Sequence, residues 1–240
     1  MIAVVSSTVF PTARSTYGVQ GGQRSFASPA ERLAQTRGTV DSLVRLGVRR
    51  IIVADNSGPA WDPAATAPLG PAEVHLVDHH QFANKGISEL YLLLAAVPLL
   101  TSGEPVMKIS GRYSLDRAGL PELDGADILG RFDGSGARSE MFSTRCYVAR
   151  DAAVFETFVR RTLREVYAWG ARVSGARSLL RIVKNSVAPE RDDFPYDDPS
   201  VSIERASAVV LRRHRYHMRR VETLGIRGHV AGDPAALLCE

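Results

Sequence analysis

The sequence predicts an α/β fold built on a mixed, mainly parallel sheet flanked by helices. Three observations carry this. Short β-branched runs, such as Ile2 to Val5 and Arg50 to Ala54, alternate with longer stretches of helical periodicity. The first half reads strand, helix, strand, strand, helix, strand, the order of a sheet with crossover helices. The strands end in hydroxyl, acidic or glycine residues, and strand ends are where open α/β sheets bind ligands.

Taken in order, residues 2–7 form the first strand and run into Ser6-Ser7-Thr8. These hydroxyls either face a ligand or close an ST-turn. Pro11 to Ser28 reads as a loop. Ser28-Pro29-Ala30-Glu31 starts a helix, with Ser28 as N-cap, Pro29 at the first helical position and Glu31 closing a capping box. Leu33, Val40, Leu43 and Val44 supply its buried stripe, and Gly47 ends it. The strand 50–55 ends in Asp55-Asn56-Ser57-Gly58. A right-handed crossover places Ser6–Thr8 and Asp55–Ser57 on the same sheet edge. Trp61 to Pro71 is a loop, 73–77 a third strand, and Asn84-Lys85-Gly86 opens a helix with Ile87, Leu90, Tyr91, Leu94 and Val97 on one face. The fourth strand, 105–109, leads into Gly111 and Arg112. All four strands are expected in one sheet.

In the second half, Ile128 to Phe132 and Met141 to Ala149 read as strands around the glycine-rich turn at 133–136. Asp151 caps an amphipathic helix. A helical stretch at 178–183, a loop at 188–199, a helix over 203–223 and an irregular last fifteen residues complete the chain. The whole is expected to be one domain, with a donor half (1–115) and an acceptor half (116–240).

At 240 residues, with 45% hydrophobic and 23% charged residues, the composition is that of a globular protein with a proper core. The two cysteines, Cys146 and Cys239, make no disulfide framework, which points to a reducing, cytoplasmic compartment. No signal peptide, transmembrane run or repeat is evident. The net charge of +4, with 27 of the 30 cations arginine, suits nucleotides, anionic lipid or nucleic acid without choosing among them.

Three features fall on the predicted ligand edge. Asp55, Asn56 and Ser57 follow one strand, and an aspartate there can hold a base or ribose. Asn84, Lys85 and Gly86 precede a helix N-terminus, whose amides and dipole favour an anion. Lys108 and Arg112 follow another, with a serine and a glycine between them. Each has a plainer reading: a turn, a helix cap, two solvated flanks of a strand. Together they predict a nucleotide-diphosphate site that includes Ser6, Ser7 and Thr8.

The segments 51–58, 84–89 and 106–113 resemble the nucleotide-binding half of GT-A-fold glycosyltransferases of bacterial polysaccharide and glycoconjugate pathways. The similarity covers about residues 2–115. It implies a glycosyltransferase using a nucleotide-diphospho-sugar donor and a hydroxyl-bearing acceptor, with Asp55 on the nucleoside and Asn84-Lys85-Gly86 at the helix. The family usually carries Asp-x-Asp after its fourth strand to bind a divalent metal. Here that place holds Lys108 to Arg112 with no carboxylate. The departure predicts a metal-independent enzyme without a cofactor, the cations stabilising the leaving diphosphate. Asp78-His79-His80 is the alternative metal cluster. An inverting transfer needs a carboxylate base near the acceptor, and a retaining mechanism is equally open; Asp133, Glu140 and Glu204 are the candidates, with Asp133 in a glycine-rich turn that has a structural reading, and the sequence does not separate them. The rivals are a nucleotidyltransferase on a similar sheet and a basic module that uses the helical run 212–220 on nucleic acid or a membrane surface. His214 and His217, three apart on that helix, are a further candidate metal pair.

Overall fold

The computed structural model describes residues 1–11, 27–58, 61, 69–78, 81–82, 84–116, 122–134, 140–170, 176, 202–230 and 233–240. The expected helix at 178–183, the loop at 188–199, His79 and His80 lie outside them.

Strands β1 (Ile2–Ser7), β2 (Arg50–Asp55), β3 (Glu73–Leu76) and β4 (Val106–Ser110) run parallel in the order β3-β2-β1-β4, as predicted. The sheet continues through β9 (Cys146–Ala149), antiparallel to β4, then β6 (Ile128–Gly130) and β10 (Met218–Arg220). Strands of both halves of the sequence therefore share one mixed, mainly parallel sheet. Both of its faces are covered, which is why β1 is buried at every position.

Alternation divides the sheet's side chains between two cores. Ile2, Val4, Ile52 and Val106 face α2 (Lys85–Ala96), α3 (Ala152–Gly170) and α4 (Ile203–Arg213). Ala3, Val5, Ile51, Val53, Met107 and Ile109 face α1 (Pro29–Arg45) and a small second sheet. That sheet is β5 (Tyr113–Leu115), β11 (Ile226–Val230) and β12 (Asp233–Cys239), all antiparallel. A two-stranded ribbon, β7 (Phe132–Asp133) with β8 (Met141–Phe142), lies beyond β6.

Local chemistry places the helices. Ser28 and Glu31 form the capping box of α1. Asp151 accepts the Val154 amide at 2.8 Å, so α3 begins as expected. Val44 is 44% exposed, so the stripe of α1 runs through Thr36, Thr39, Val40 and Leu43 instead.

Two expectations for the C-terminal region are corrected. The helix predicted over 203–223 stops at Arg213, with His214 as its C-cap. Arg215 then adopts φ 51°, a left-handed turn that reverses the chain. His217 donates its amide to Asp127 and the chain joins the sheet as β10. Its basic run is thus part helix, part turn and part strand, and His214 and His217 share no helical face. The last fifteen residues, expected to be irregular, contain β11 and β12. Among the described residues no helix is long and apolar enough to cross a membrane.

Candidate functional site

A cavity of about 390 Å³ opens at the C-terminal ends of β1 and β4. The parallel register sets Ser6 beside Ser110, and the Gly111 amide donates to the Ser6 carbonyl at 2.9 Å. The floor is therefore two strand ends rich in hydroxyls and backbone amides.

Three helices wall it. On one side α1 contributes Arg32 and Thr36, with Arg112 beside them. The Arg32 guanidinium donates to the Thr8 carbonyl, while its buried Nε has no hydrogen-bond partner among the described residues. Burial, and then the neighbouring Arg112 charge, bring the Arg32 pKa down to about 10, against an opposing pull from Asp55. The Arg112 guanidinium stands 5.9 Å from the Tyr113 ring centre, and among the described residues no carboxylate pairs with it.

On the other side the N-termini of α2 and α4 converge. Asn84 caps α2 by accepting the Gly86 amide at 2.9 Å. A Cβ on Gly86 would stand 2.3 Å from Ile203 Cγ2, so glycine is what lets the first residue of α4 sit on the first turn of α2. Ser202, Ile203 and Glu204 thereby reach the cavity wall. Thr144 Oγ1 donates to Glu204 Oε1 at 3.2 Å.

Glu89, one turn into α2, is the other carboxylate of the lining. Lys108 Nζ lies 2.5 Å from its Oε1, with the lysine side chain 1% exposed and the glutamate 20%. Ser6 Oγ and Ser110 Oγ donate to the same oxygen at 2.7 and 3.0 Å. Burial opposes the Glu89 charge, but Lys108 and the two hydroxyls outweigh it and hold the carboxyl below its usual range.

The cavity brings together Ser6, Ser7, Thr8, Asn84, Lys85, Gly86, Arg112 and Glu204 of the predicted residues. Six others do not line it. Lys108 was expected on the diphosphate, but its Nζ is enclosed by Glu89, Ser110 and the Thr144 carbonyl. Alternation turns position 108 onto the α2 face, mid-strand, rather than out over the edge. Asp55 is fully buried, and its two oxygens accept the Val9 and Ser57 amides at 3.0 and 2.7 Å. Asn56 accepts from Thr8 Oγ1, and Ser57 from the Phe10 amide. The Asp55–Ser57 turn therefore latches the segment after β1, a backbone role. Glu140 lies in an ion-pair cluster with Arg212 and Arg220 and does not line the cavity. Asp133 pairs with Arg131 at 3.0 Å.

Arg32, Thr36, Ser88, Glu89 and Ser202 do not stand out in the sequence. Their signals are faint: Arg32 lies one turn beyond a strong cap, and Glu89 lies three residues past Gly86 on the same helical face.

No protein-family model and no curated protein matches the chain. Among the solved structures that align with it are three. The galactosyltransferase LgtC, in complex with donor and acceptor sugar analogues, aligns over 92% of this chain and 73% of its own, at 8% identity and a TM-score of 0.48. A nucleoside-diphosphate-sugar pyrophosphorylase from Vibrio cholerae RC9 aligns over 98% and 96%, at 12% identity and a TM-score of 0.48. A 4-diphosphocytidyl-2C-methyl-D-erythritol synthase from Anaerococcus prevotii DSM 20548 aligns over 97% and 91%, at 10% identity and a TM-score of 0.46. These are likenesses of chain layout, and they assign no activity to this protein.

The metal that the resemblance implies can be tested against the residues present. Where that family carries Asp-x-Asp, this chain offers a hydroxyl, a backbone and a guanidinium: Ser110, Gly111 and Arg112. Of the two lining carboxylates, Glu89 is bonded to Lys108 and Glu204 stands on another helix. Among the described residues no group of three or more carboxylate, histidine or cysteine ligands is assembled. This donor set does not fit a divalent ion bridging a diphosphate.

Proposed function

We propose that this chain is a glycosyltransferase that moves a sugar from a nucleotide-diphospho donor to an acceptor hydroxyl, without a divalent metal. The observation that carries the reading is the pair Arg32 and Arg112, two guanidiniums on one cavity that no carboxylate ion-pairs with among the described residues, Asp55 acting on Arg32 only through space. Like charges held close are unfavourable unless an anion joins them, and a planar fork suits phosphate oxygens. The N-terminus of α2 adds Lys85 and a favourable dipole.

Transfer then proceeds as a displacement. The acceptor hydroxyl gives its proton to Glu204, its oxygen bonds to the anomeric carbon, and the bond from that carbon to the diphosphate breaks. Arg32 and Arg112 hold the charge that gathers on the leaving group. Fixed cations aimed at developing charge lower a barrier more than anything else such a site can offer. Glu204 takes the base role over Glu140 because it lines the cavity. The basic-module rival loses its support, since it needs the 212–220 run as one helical face.

Isothermal titration with UDP, GDP, CDP and dTDP, in EDTA and then in Mn²⁺, tests this. One nucleotide is expected to bind in EDTA. Arg112→Ala or Arg32→Ala should weaken it about tenfold to over a hundredfold, the loss of a charge-assisted contact worth about 1.5–3 kcal/mol. Arg112→Lys should rescue only in part, because an ammonium lacks the fork. Binding that requires Mn²⁺ and ignores both alanine variants would overturn the reading.

A further inference from the structure

We infer that Glu89 holds a hydroxyl of the donor's sugar, so that the cavity reads the two halves of one molecule, the diphosphate on its α1 side and the sugar on its α2 side. The inference rests on the nucleotide-diphospho-sugar reading given above and deepens it.

The cavity is polar in the literal sense. Its α1 side carries Arg32 and Arg112, while its α2 and α4 side carries the carboxylates Glu89 and Glu204 beside the helix N-termini and Lys85. An anion alone satisfies the cations and leaves the two carboxylates without a donor. A ligand with an anionic half and a hydroxyl-bearing half satisfies both.

The local geometry of Glu89 supports this assignment. Its three donors, Lys108 Nζ and the Ser6 and Ser110 hydroxyls, all converge on Oε1. Among the described residues none hydrogen-bonds Oε2, and the side chain keeps 20% of its surface exposed at the cavity wall. An ionised carboxylate accepts and does not donate, so the group that suits Oε2 is a donor, and hydroxyls are what a sugar supplies.

The pairing with Lys108 has the same logic. A buried ion pair contributes little net stability compared with an apolar pair of like volume. What it provides here is a fixed, charged acceptor inside a cavity. The carboxyl is held below its usual range, so Glu89 stays ionised and accepts hydrogen bonds without taking up a proton. It is a sugar-binding residue, and the proton transfer stays with Glu204.

The test is isothermal titration of the full chain in EDTA with each nucleoside diphosphate and with UDP-glucose, UDP-galactose, UDP-N-acetylglucosamine, GDP-mannose and dTDP-glucose. The double variant Glu89→Leu with Lys108→Met removes both charges together, so no buried charge is left alone. It should bind the preferred nucleoside diphosphate within about twofold of wild type and its nucleotide sugar about tenfold or more weakly, the loss of one charge-assisted hydrogen bond. Glu89→Gln, which keeps the shape, should shift the same ratio in the same direction by less, and serves if the double variant does not fold. An unchanged ratio in the folded variant overturns the inference, as does wild type that binds a nucleoside diphosphate but none of the nucleotide sugars. Wild type that binds no nucleoside diphosphate at all removes the donor reading, and this inference with it.

Discussion

Lys108 is legible as a cation but not as a partner. Sequence spacing alone groups it with Arg112, because the two lie four positions apart around a strand end. A strand alternates its faces, and what decides is the residue waiting on each face. Position 108 meets Glu89, while Arg112, past the strand, meets Arg32. This gives a stability prediction. Lys108→Ala alone should cost up to about 3–5 kcal/mol in urea unfolding, because it leaves the largely buried Glu89 carboxylate without its cation. The double variant with Glu89→Leu should fall far closer to wild type. Acid provides a second check. A carboxyl whose folded pKa is lowered adds stability that is present above its ordinary value of 4.5 and is lost as the pH falls through the folded one. Wild type should therefore lose more melting temperature than the double variant as the pH drops through this range. Equal losses would show that the Glu89 pair is not ionised in the folded protein.

At the scale of elements, strong local signals are legible and long-range partnerships are not. The capping box at Ser28 and the Asp151 cap stand where their sequences place them. The end of α4 and the strands β10, β11 and β12 depend on pairing partners far away in sequence, and no local pattern announces those. Asp55 misleads for a related reason: an acidic turn at a strand end suits a ribose and suits the backbone amides of a neighbouring loop equally well. Two glycines make element-scale tests. Gly86→Ala would gain helix propensity in α2, yet its Cβ would meet Ile203 at 2.3 Å. Overpacking should win by about 1–3 kcal/mol and push Ser202 and Glu204 off the cavity wall. The expected result is a lower melting temperature together with a fall in transfer rate larger than the fall in donor affinity. Gly228→Ala sets a Cβ 2.2 Å from the Arg112 carbonyl, so it should loosen β11 from β5 and weaken diphosphate binding, measured by the same titration.

For the whole molecule, the large sheet is the most legible feature. Three buried strands, β1, β2 and β4, with a partly exposed β3 at the edge and crossover-length connections, leave few topologies open. The cavity's location at the parallel strand ends follows from that sheet. Its charge layout does not, because it is composed by α1, α2 and α4 from three separate stretches of sequence. Arg32, Glu89 and Glu204 become neighbours only after the sheet has formed, and their distances along the chain conceal it.

The small sheet adds a consequence in time. Arg112 sits between β4, which pairs early in the sequence, and β5, which pairs with β11 from the far end. Tyr113 lies opposite Gly228, so the backbone that carries Arg112 is fixed in the small sheet only when residues 226–228 pair with it. During synthesis the hydroxyl floor can assemble while the cation above it is still untethered. Closing so long a loop is slow compared with local collapse. On the proposed reading, then, the grip on a diphosphate is fastened by a strand more than a hundred residues away, and weakening the β5–β11 pairing should loosen that grip while the parallel strands keep their register.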